Sequence, residues 1–282
     1  MTVAAKLVGA AATLGLGVLA RTLLTRGRRF VLMLHGVTSF RRVGVSETAQ
    51  AGHTVEELQR ILGWIAPRFR FLPICEFFES DAPGVLLTFD DGLANNAANA
   101  LPVLELFGAP AVFFVATQHV KDPIDWLPYT LQKVRSHWSK EEEVSREVAA
   151  DLFDGMSEQQ VRRCAEHPLI TIGSHTVSHP FLTQIDDDEL KQEVEISREY
   201  LEAVTGQPVN LFAYPTGDYD SCVMGAVERA GYEFAFAVDP AGLGNSRLEI
   251  PRIGLYGAAT SYLDLKLSGL HRRPIKARPW SR

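Results

Sequence analysis

The sequence predicts an α/β domain with a parallel sheet, on three observations. Short apolar or β-branched runs at 30–34, 85–89, 111–116, 169–172, 211–214 and 234–238 alternate with segments of helical period. No two runs are joined by a hairpin signal, so helices connect successive strands. The polar residues of chemical interest, His35, Asp90, Asp91 and His175, each sit directly after such a run. In parallel α/β barrels that strand end carries the chemistry.

Residues 30–34 (FVLML) have strand character and end in His35, Gly36 and Val37. Residues 54–69 follow as a helix. Thr54 and Glu57 have capping-box spacing there, and Val55, Leu58, Ile61, Leu62 and Ile65 recur at helical period. Residues 85–89 (VLLTF) form a buried strand that stops at Asp90, Asp91 and Gly92. An Ala- and Leu-rich helix is expected over 96–107, closed by Gly108, before the strand at 111–116 (AVFFVA). Residues 122–167 read as a helical, more polar excursion from the core fold, with a charge-rich piece at 140–147 that suits a solvated face. The strand at 169–172 leads into Gly173, Ser174 and His175. A long helix over 187–205 is capped by Asp186, buries Leu190, Val194, Leu201 and Val204, and stops at Gly206. A strand at 211–214, a helix to Ala230, a strand at 234–238, an extended stretch at 249–256 and a last helix near 262–270 complete the pattern.

At 282 residues the chain can bury one large α/β core or two small ones. Its 46% hydrophobic and 22% charged content is that of an ordinary globular protein. A net charge of -6, with no basic groove and interleaved aromatics, argues against a nucleic-acid partner. Cys75, Cys164 and Cys222 lack metal-type spacing and read as isolated buried thiols. GLGV at 15–18 lies inside a hydrophobic run and is no phosphate loop. Oligomeric state has no signal in the sequence.

Residues 1–28 differ in kind. An uncharged run at 7–20 follows Lys6 and precedes Arg21, Arg26, Arg28 and Arg29. Even extended over 7–24 it is short for a span, and it takes in Arg21. It suits a signal anchor or interfacial helix with arginines at the headgroups, and hence membrane association. A secretory signal would need a clean cleavage site before the basic cluster; a helix packed on the soluble part is the other alternative. If the run spans, the charge excess after it favours the cytoplasmic face for the domain that follows. The expected organisation is this segment at 1–28, one folded domain at 29–272 and a basic tail at 273–282.

Two adjacent carboxylates at the end of a buried strand need a reason, because like charges repel and burial penalises both. A cation relieves the repulsion, and Gly92 permits a tight turn that points the two side chains apart. One Asp can then hold a metal while its neighbour moves protons. Taken alone, the stretch equally fits a solvated Asp-Asp-Gly turn. His175 and His179 lie four apart in GSHTVSHP, a spacing that puts two imidazoles on one face of a helical turn or converges them from a looser one. With a carboxylate from another strand end they make a two-His, one-carboxylate set, which leaves open positions for water and substrate.

TFDDG at 88–92, SHTVSH at 174–179 and FAYPTG at 212–217 resemble the successive motifs of the polysaccharide deacetylase (NodB-homology) family. The resemblance covers about 30–270. It implies a distorted (β/α) barrel, similar to a TIM barrel with an irregular or missing strand. The implied activity is metal-dependent hydrolysis of N- or O-acetyl groups on sugars. On the matching positions, Asp91, His175 and His179 are the implied metal ligands, with zinc the default ion, and Asp90 the implied general base. Tyr214, Pro215, Thr216 and Gly217 fall on the third motif, with the Thr216 N–H as the implied oxyanion donor.

Two departures from the family pattern matter. Many members carry the acid histidine near the C-terminus, where this chain has only His271 in its basic tail; LMLHGV at 32–37 has the same form instead. That resembles a circularly permuted subgroup and implies His35 as general acid. Ala213 stands where the family often has a base-orienting Arg, and Arg252 in IPRI can supply that guanidinium from another strand in a bidentate pair. Trp126 in DWLPY walls the sugar groove or lies in the core.

The implied substrate is an N-acetylated glycan or glycolipid. Deformylation or deacetylation of a lipid-linked sugar, hydrolysis of an O-acetyl ester and non-catalytic glycan binding are the alternatives within the resemblance. From another class, iron oxygenases use similar ligands, but on all-β frameworks. Asp90 argues against a pure binder, which needs no base beside the ligand Asp.

Overall fold

The structure, a computed structural model, describes residues 29–39, 52–80, 82–123, 146–238 and 246–267. Seven parallel strands close into a barrel, one fewer than the eight of a regular (β/α) barrel. Around the ring they are β1 (Arg29–Leu34), β4 (Gly84–Phe89), β5 (Ala111–Val115), β6 (Ile170–Ser174), β7 (Leu211–Ala213), β8 (Phe234–Val238) and β9 (Ile250–Gly254). Closure comes from β1, which pairs with β4 along its whole length and with β9 at Leu32 and Met33. A short parallel ribbon, β2 (Val37–Thr38) with β3 (His53–Thr54), stands beside it.

The strands are mostly apolar because both faces are covered, and their period of two sorts side chains into two cores. Val31, Leu86, Val112, Phe114, Phe236 and Ile250 fill the barrel interior. Their neighbours Leu32, Leu87, Phe113 and Ala237 meet the surrounding helices. The bottom is closed by α2 (Ile74–Glu79), whose Phe77 joins the interior. There the buried Arg29 donates from Nη1 to the Phe77 carbonyl and to the Ser80 carbonyl at 2.7 Å.

Helix α1 (Val55–Ile65) starts in the expected capping box of Thr54 and Glu57 and buries Leu58, Ile61, Leu62, Trp64 and Ile65. Helix α3 (Leu101–Phe107) ends at Gly108 in a left-handed turn, φ 56°. Helix α4 (Thr117–Lys121) follows β5, and the excursion supplies α5 (Arg146–Phe153) and α6 (Glu158–Glu166), the last opened by a second capping box at Ser157 and Gln160. Helix α7 (Asp187–Thr205) is capped by Asp186 and buries Leu190, Val194, Leu201 and Val204, at about 1.5–3 kcal/mol per side chain. Helices α8 (Ser221–Arg229) and α9 (Thr260–Leu267) complete the outer layer.

Several expectations need correction. The segment at 96–107 opens as a π-helical stretch, Asn96–Ala100, before α3 begins. Pro102 has no N–H for the α-helical bond, and its ring crowds the preceding turn, which the wider turn relieves. Strand β6 continues through Gly173 and Ser174, paired to Phe114 and Val115. A side chain at Gly173 would meet the Phe114 ring at 2.5 Å, so the glycine is what lets those strands pack. Helix α2 has no sequence signal, being too short for a helical period to register. Cys75 and Cys222 are exposed; only Cys164 is a buried thiol, and all three are free.

The apolar run at 7–24, Trp126, most of the charged piece at 140–147 and the basic tail lie outside the described residues. Among the described residues no helix is long and apolar enough to cross a membrane.

Asp186→Ala removes the side-chain acceptor for the Asp188 and Glu189 N–H groups. Urea denaturation is expected to register a loss of about 0.5–2 kcal/mol with an unchanged slope.

Candidate active site

The alternation that fills the barrel also selects what reaches its mouth. Leu86 and Thr88 face inward on β4, so Asp90 does too; by the same rule Val31 and Met33 lead to His35, and Ile250 leads to Arg252. Asp90 still donates its N–H to the Leu34 carbonyl at 3.0 Å, extending the ladder by one residue. The backbone then turns left-handed at Asp91 (φ 74°) and Gly92 (φ 71°). A Cβ at Gly92 would lie 2.8 Å from the Val115 side chain, so both conformation and space require glycine. The turn sends the two carboxylates to different partners.

Asp90 meets a cation. Arg252, fully buried on β9, donates from Nη1 to Asp90 Oδ1 at 2.6 Å and to Thr88 Oγ1 at 3.3 Å. Its guanidinium lies over the Phe114 ring, 5.4 Å from the centroid. Burial alone would raise the Asp90 pKa, but the charge and hydrogen bond of the neighbouring Arg252 guanidinium lead the opposing effects and hold the carboxyl below its ordinary value.

Asp91 meets two imidazoles. Its Oδ1 lies 3.7 Å from His175 Nε2 and 3.6 Å from His179 Nε2, and one ligand atom from each residue falls within 4.8 Å of the others. Tetrahedral bonds of about 2.0–2.2 Å from one ion set its ligand atoms about 3.3–3.6 Å apart, close to the two separations from Asp91. His175 Nδ1 donates to the Ala213 carbonyl at 2.8 Å, which leaves its Nε2 lone pair facing the cluster. Burial lowers the pKa of His175, and burial together with His175 pushes His179 down to about 4, so both rings are neutral. Neutral imidazoles beside a carboxylate fit a divalent cation. The two histidines sit on an irregular loop, the looser alternative to a helical turn, with Thr176 and His179 at φ 69° and 60°.

The second half of the excursion braces this loop system. Met156 N–H bonds to the Gly92 carbonyl at 2.8 Å and Ala94 N–H to the Asp154 carbonyl at 2.8 Å. His119 Nδ1 approaches the Asp91 carbonyl at 3.4 Å, and burial lowers the His119 pKa.

His35, Asp90, Asp91, His175, His179 and Arg252 line a single cavity of about 200 Å³ at the barrel mouth. Tyr214, Thr216 and Gly217 line it as well. Tyr214 itself is a core residue: its hydroxyl donates to the Leu248 carbonyl at 3.0 Å and its ring stacks on Tyr219. Pro215 is buried beneath the loop, and Thr216 has φ 56°. His35 stacks on Tyr256 with centroids 6.1 Å apart. The loop after His35 is pinned by Asn95 Oδ1, which accepts the Val37 N–H at 2.9 Å, and by Asn99 Nδ2, which donates to the Val37 carbonyl at 2.8 Å.

Sequence reasoning missed Thr88, Asn95 and Tyr256. Only Thr88 carried a local signal: a polar residue at an inward position, two before Asp90.

The sequence profile of the polysaccharide deacetylase family matches residues 79–235, just over half of the 282-residue chain. The chain belongs to the polysaccharide deacetylase family. YxkH of Bacillus subtilis (strain 168), which carries the polysaccharide deacetylase name, is 22% identical over 210 residues. That alignment covers 74% of this chain and 64% of the relative, so the chain spans less than two thirds of that protein's length. Among solved structures, the Streptococcus pyogenes deacetylase PplD in complex with acetate matches with a TM-score of 0.64 at 21% identity, over 84% of this chain and 96% of that one. A de-N-acetylase from Aggregatibacter actinomycetemcomitans matches with a TM-score of 0.63 at 18% identity, over 86% and 99%. These two share the deacetylase barrel fold.

Removing the cation of the buried pair leaves Asp90 uncompensated. Arg252→Met is expected to destabilise the protein by about 3–5 kcal/mol. Adding Asp90→Asn should restore part of that loss, which a double-mutant cycle by urea denaturation measures.

Proposed function

We propose that this chain removes N-acetyl groups from a polysaccharide or related glycan by hydrolysis. The carrying observation is the division of two adjacent carboxylates, Asp91 against two neutral imidazoles and Asp90 against a buried guanidinium. Asp91, His175 and His179 would hold a divalent cation, with zinc the default. When bound, such an ion supplies Lewis acidity to the acetyl carbonyl and lowers the pKa of a water.

The chain's own residues handle the protons. Arg252 occupies Asp90 Oδ1, and the other oxygen, Oδ2, lies on the His175 side at 4.0 Å. Asp90 accepts the proton of the water that attacks the acetyl carbon. The Thr216 N–H donates to the oxygen that gains charge. His35 donates a proton to the departing nitrogen as the carbon–nitrogen bond breaks, giving acetate and a free amine. The same residues serve an O-acetyl ester, whose attacked carbonyl is identical.

Tyr256 is 63% exposed at the mouth, beside His35, and its N–H is held by the Tyr262 hydroxyl at 3.1 Å. It offers an aromatic face to a sugar ring, the part that the sequence suggested for Trp126. The apolar run at 7–24 supports a membrane-proximal glycan or glycolipid as the setting.

Acetate release from a panel of N-acetylated oligosaccharides tests the reading. Release by the full chain should vanish with chelator and return with zinc. No release from any substrate, with the metal bound, would leave a glycan binder. Asp90→Asn and His35→Ala should each lower the rate by about 10²–10⁴ while metal content is kept. An unchanged rate in Asp90→Asn would remove Asp90 as the base, and metal loss in His35→Ala would make His35 a ligand or a structural residue. Tyr256→Ala should raise KM for oligosaccharides and leave KM for a small acetyl ester unchanged.

A further inference from the structure

Helix α7 grips the loop that carries both histidines, at two points one helical turn apart. Glu193 Oε2 accepts the N–H groups of Val177 at 2.8 Å and Ser178 at 2.9 Å, and its Oε1 accepts the Ser178 hydroxyl at 2.6 Å. Ser197, four residues on and therefore on the same helix face, accepts the Ser174 hydroxyl at 2.8 Å and donates to the Val194 carbonyl at 3.0 Å. Ser174 immediately precedes His175, and Ser178 immediately precedes His179. Each imidazole is thus fixed through the residue before it.

The loop needs such a hold. Thr176 and His179 are left-handed, at φ 69° and 60°, a conformation that L side chains adopt at a cost. Local bonds supply part of the support: Thr176 N–H to Ser174 Oγ at 3.3 Å, and His179 N–H to Thr176 Oγ1 at 3.0 Å. They lie within the loop and cannot fix it relative to Asp91, which comes from β4. Glu193 can, because α7 is anchored elsewhere. Arg198 on that helix donates to the Val209 carbonyl at 3.1 Å and to the Ala230 carbonyl at 2.6 Å. Three bonds to one carboxylate, two from consecutive backbone N–H groups, are strong and directional.

We propose that Glu193 is a positioning residue for the metal loop, setting the affinity of Asp91, His175 and His179 for a divalent cation by fixing the second imidazole against the first. The inference rests on the metal reading of those three residues. Partners that orient metal ligands change affinity by about 10–100-fold when removed.

Cobalt(II) serves as the probe on the full chain, with affinity from calorimetry and ligand geometry from the visible absorption bands. Glu193→Ala should bind cobalt about 10–100-fold more weakly with altered bands, and Ser178→Ala, which removes a single bond, should fall between it and wild type. Glu193→Gln should keep the wild-type affinity and bands. Its amide oxygen can accept both N–H groups and its NH₂ can donate to the Ser178 hydroxyl. Glu199→Ala removes an exposed carboxylate from the same helix and should change neither readout.

Wild-type affinity and bands in both Glu193→Ala and Ser178→Ala would overturn the proposal. A Glu193→Gln variant as weak as Glu193→Ala would make charge, not hydrogen bonding, the operative property and would overturn it too. A wild-type chain that binds no cobalt would overturn the metal reading itself, and this inference with it. Should Glu193→Ala fail to fold, wild-type affinity and bands in Ser178→Ala, or affinity about 10-fold or more below wild type in Glu193→Gln, would overturn the proposal instead.

Discussion

The buried contact between Arg252 and Asp90 is the constraint to which the rest of the site conforms. A guanidinium inside a barrel of Val, Ile and Phe side chains costs several kcal/mol unless a carboxylate meets it, and the same holds for the carboxylate. Here each is the other's counter-charge at 2.6 Å, with Thr88 Oγ1 taking a further share of Nη1. Two adjacent aspartates cannot both remain ionised around one cation without competing for it. The barrel separates them by giving the first a permanent partner from β9. The second, turned by a left-handed residue, faces the histidine loop.

That division depends on backbone conformations which ordinary residues resist. Asp91, Thr176, His179 and Thr216 are the non-glycine residues with positive φ among the described residues, and all belong to the motif loops at the mouth. Each costs on the order of 1–3 kcal/mol, so the surroundings must hold them. The hold is visible at Asp91, where the His119 imidazole and the returning strap at Asp154 to Met156 meet the turn. It is visible again at Thr176, whose carbonyl accepts the Thr117 N–H at 3.1 Å. The polar excursion, which the sequence marks only as a departure from the core, is therefore the wall that keeps the Asp-Asp-Gly turn in place.

The legible parts of this molecule are those with a local cause. Alternating apolar runs made the strands readable, and Thr54 with Glu57 or Asp186 with Gly206 bounded helices by capping chemistry that acts within a few residues. The cluster of Asp91, His175 and His179 was readable because two of its members share a loop and the third ends an apolar strand. The Arg252 contact spans 162 positions, and only the family pattern, through the vacancy at Ala213, pointed to it. Glu193 and Tyr256 had no such pattern behind them. Glu193 is one acidic residue among many on α7, and Tyr256 is an aromatic in a loop. Helix α2 was invisible because six residues do not establish a period, and the π-helical opening at Asn96 follows from the missing N–H of Pro102.

Closure of the ring sets His35, at the end of β1, beside the strand that carries Arg252. In an open sheet the two ends of the chain lie far apart. In this barrel β1 pairs directly with β9 on one side and β4 on the other. His35 therefore emerges between the strand that carries Arg252 and the strand that carries Asp90. Around the mouth, β9, β1 and β4 bring Arg252, His35 and Asp90 together, while β6 brings His175 and His179 and β7 the Thr216 loop from the other direction. The Asp-Asp pair is where the two halves meet: one carboxylate belongs to the guanidinium side and the next to the imidazole side. What matters to the site is the order of strands around the ring, which sets a guanidinium, an imidazole and a carboxylate from three neighbouring strands around one cavity.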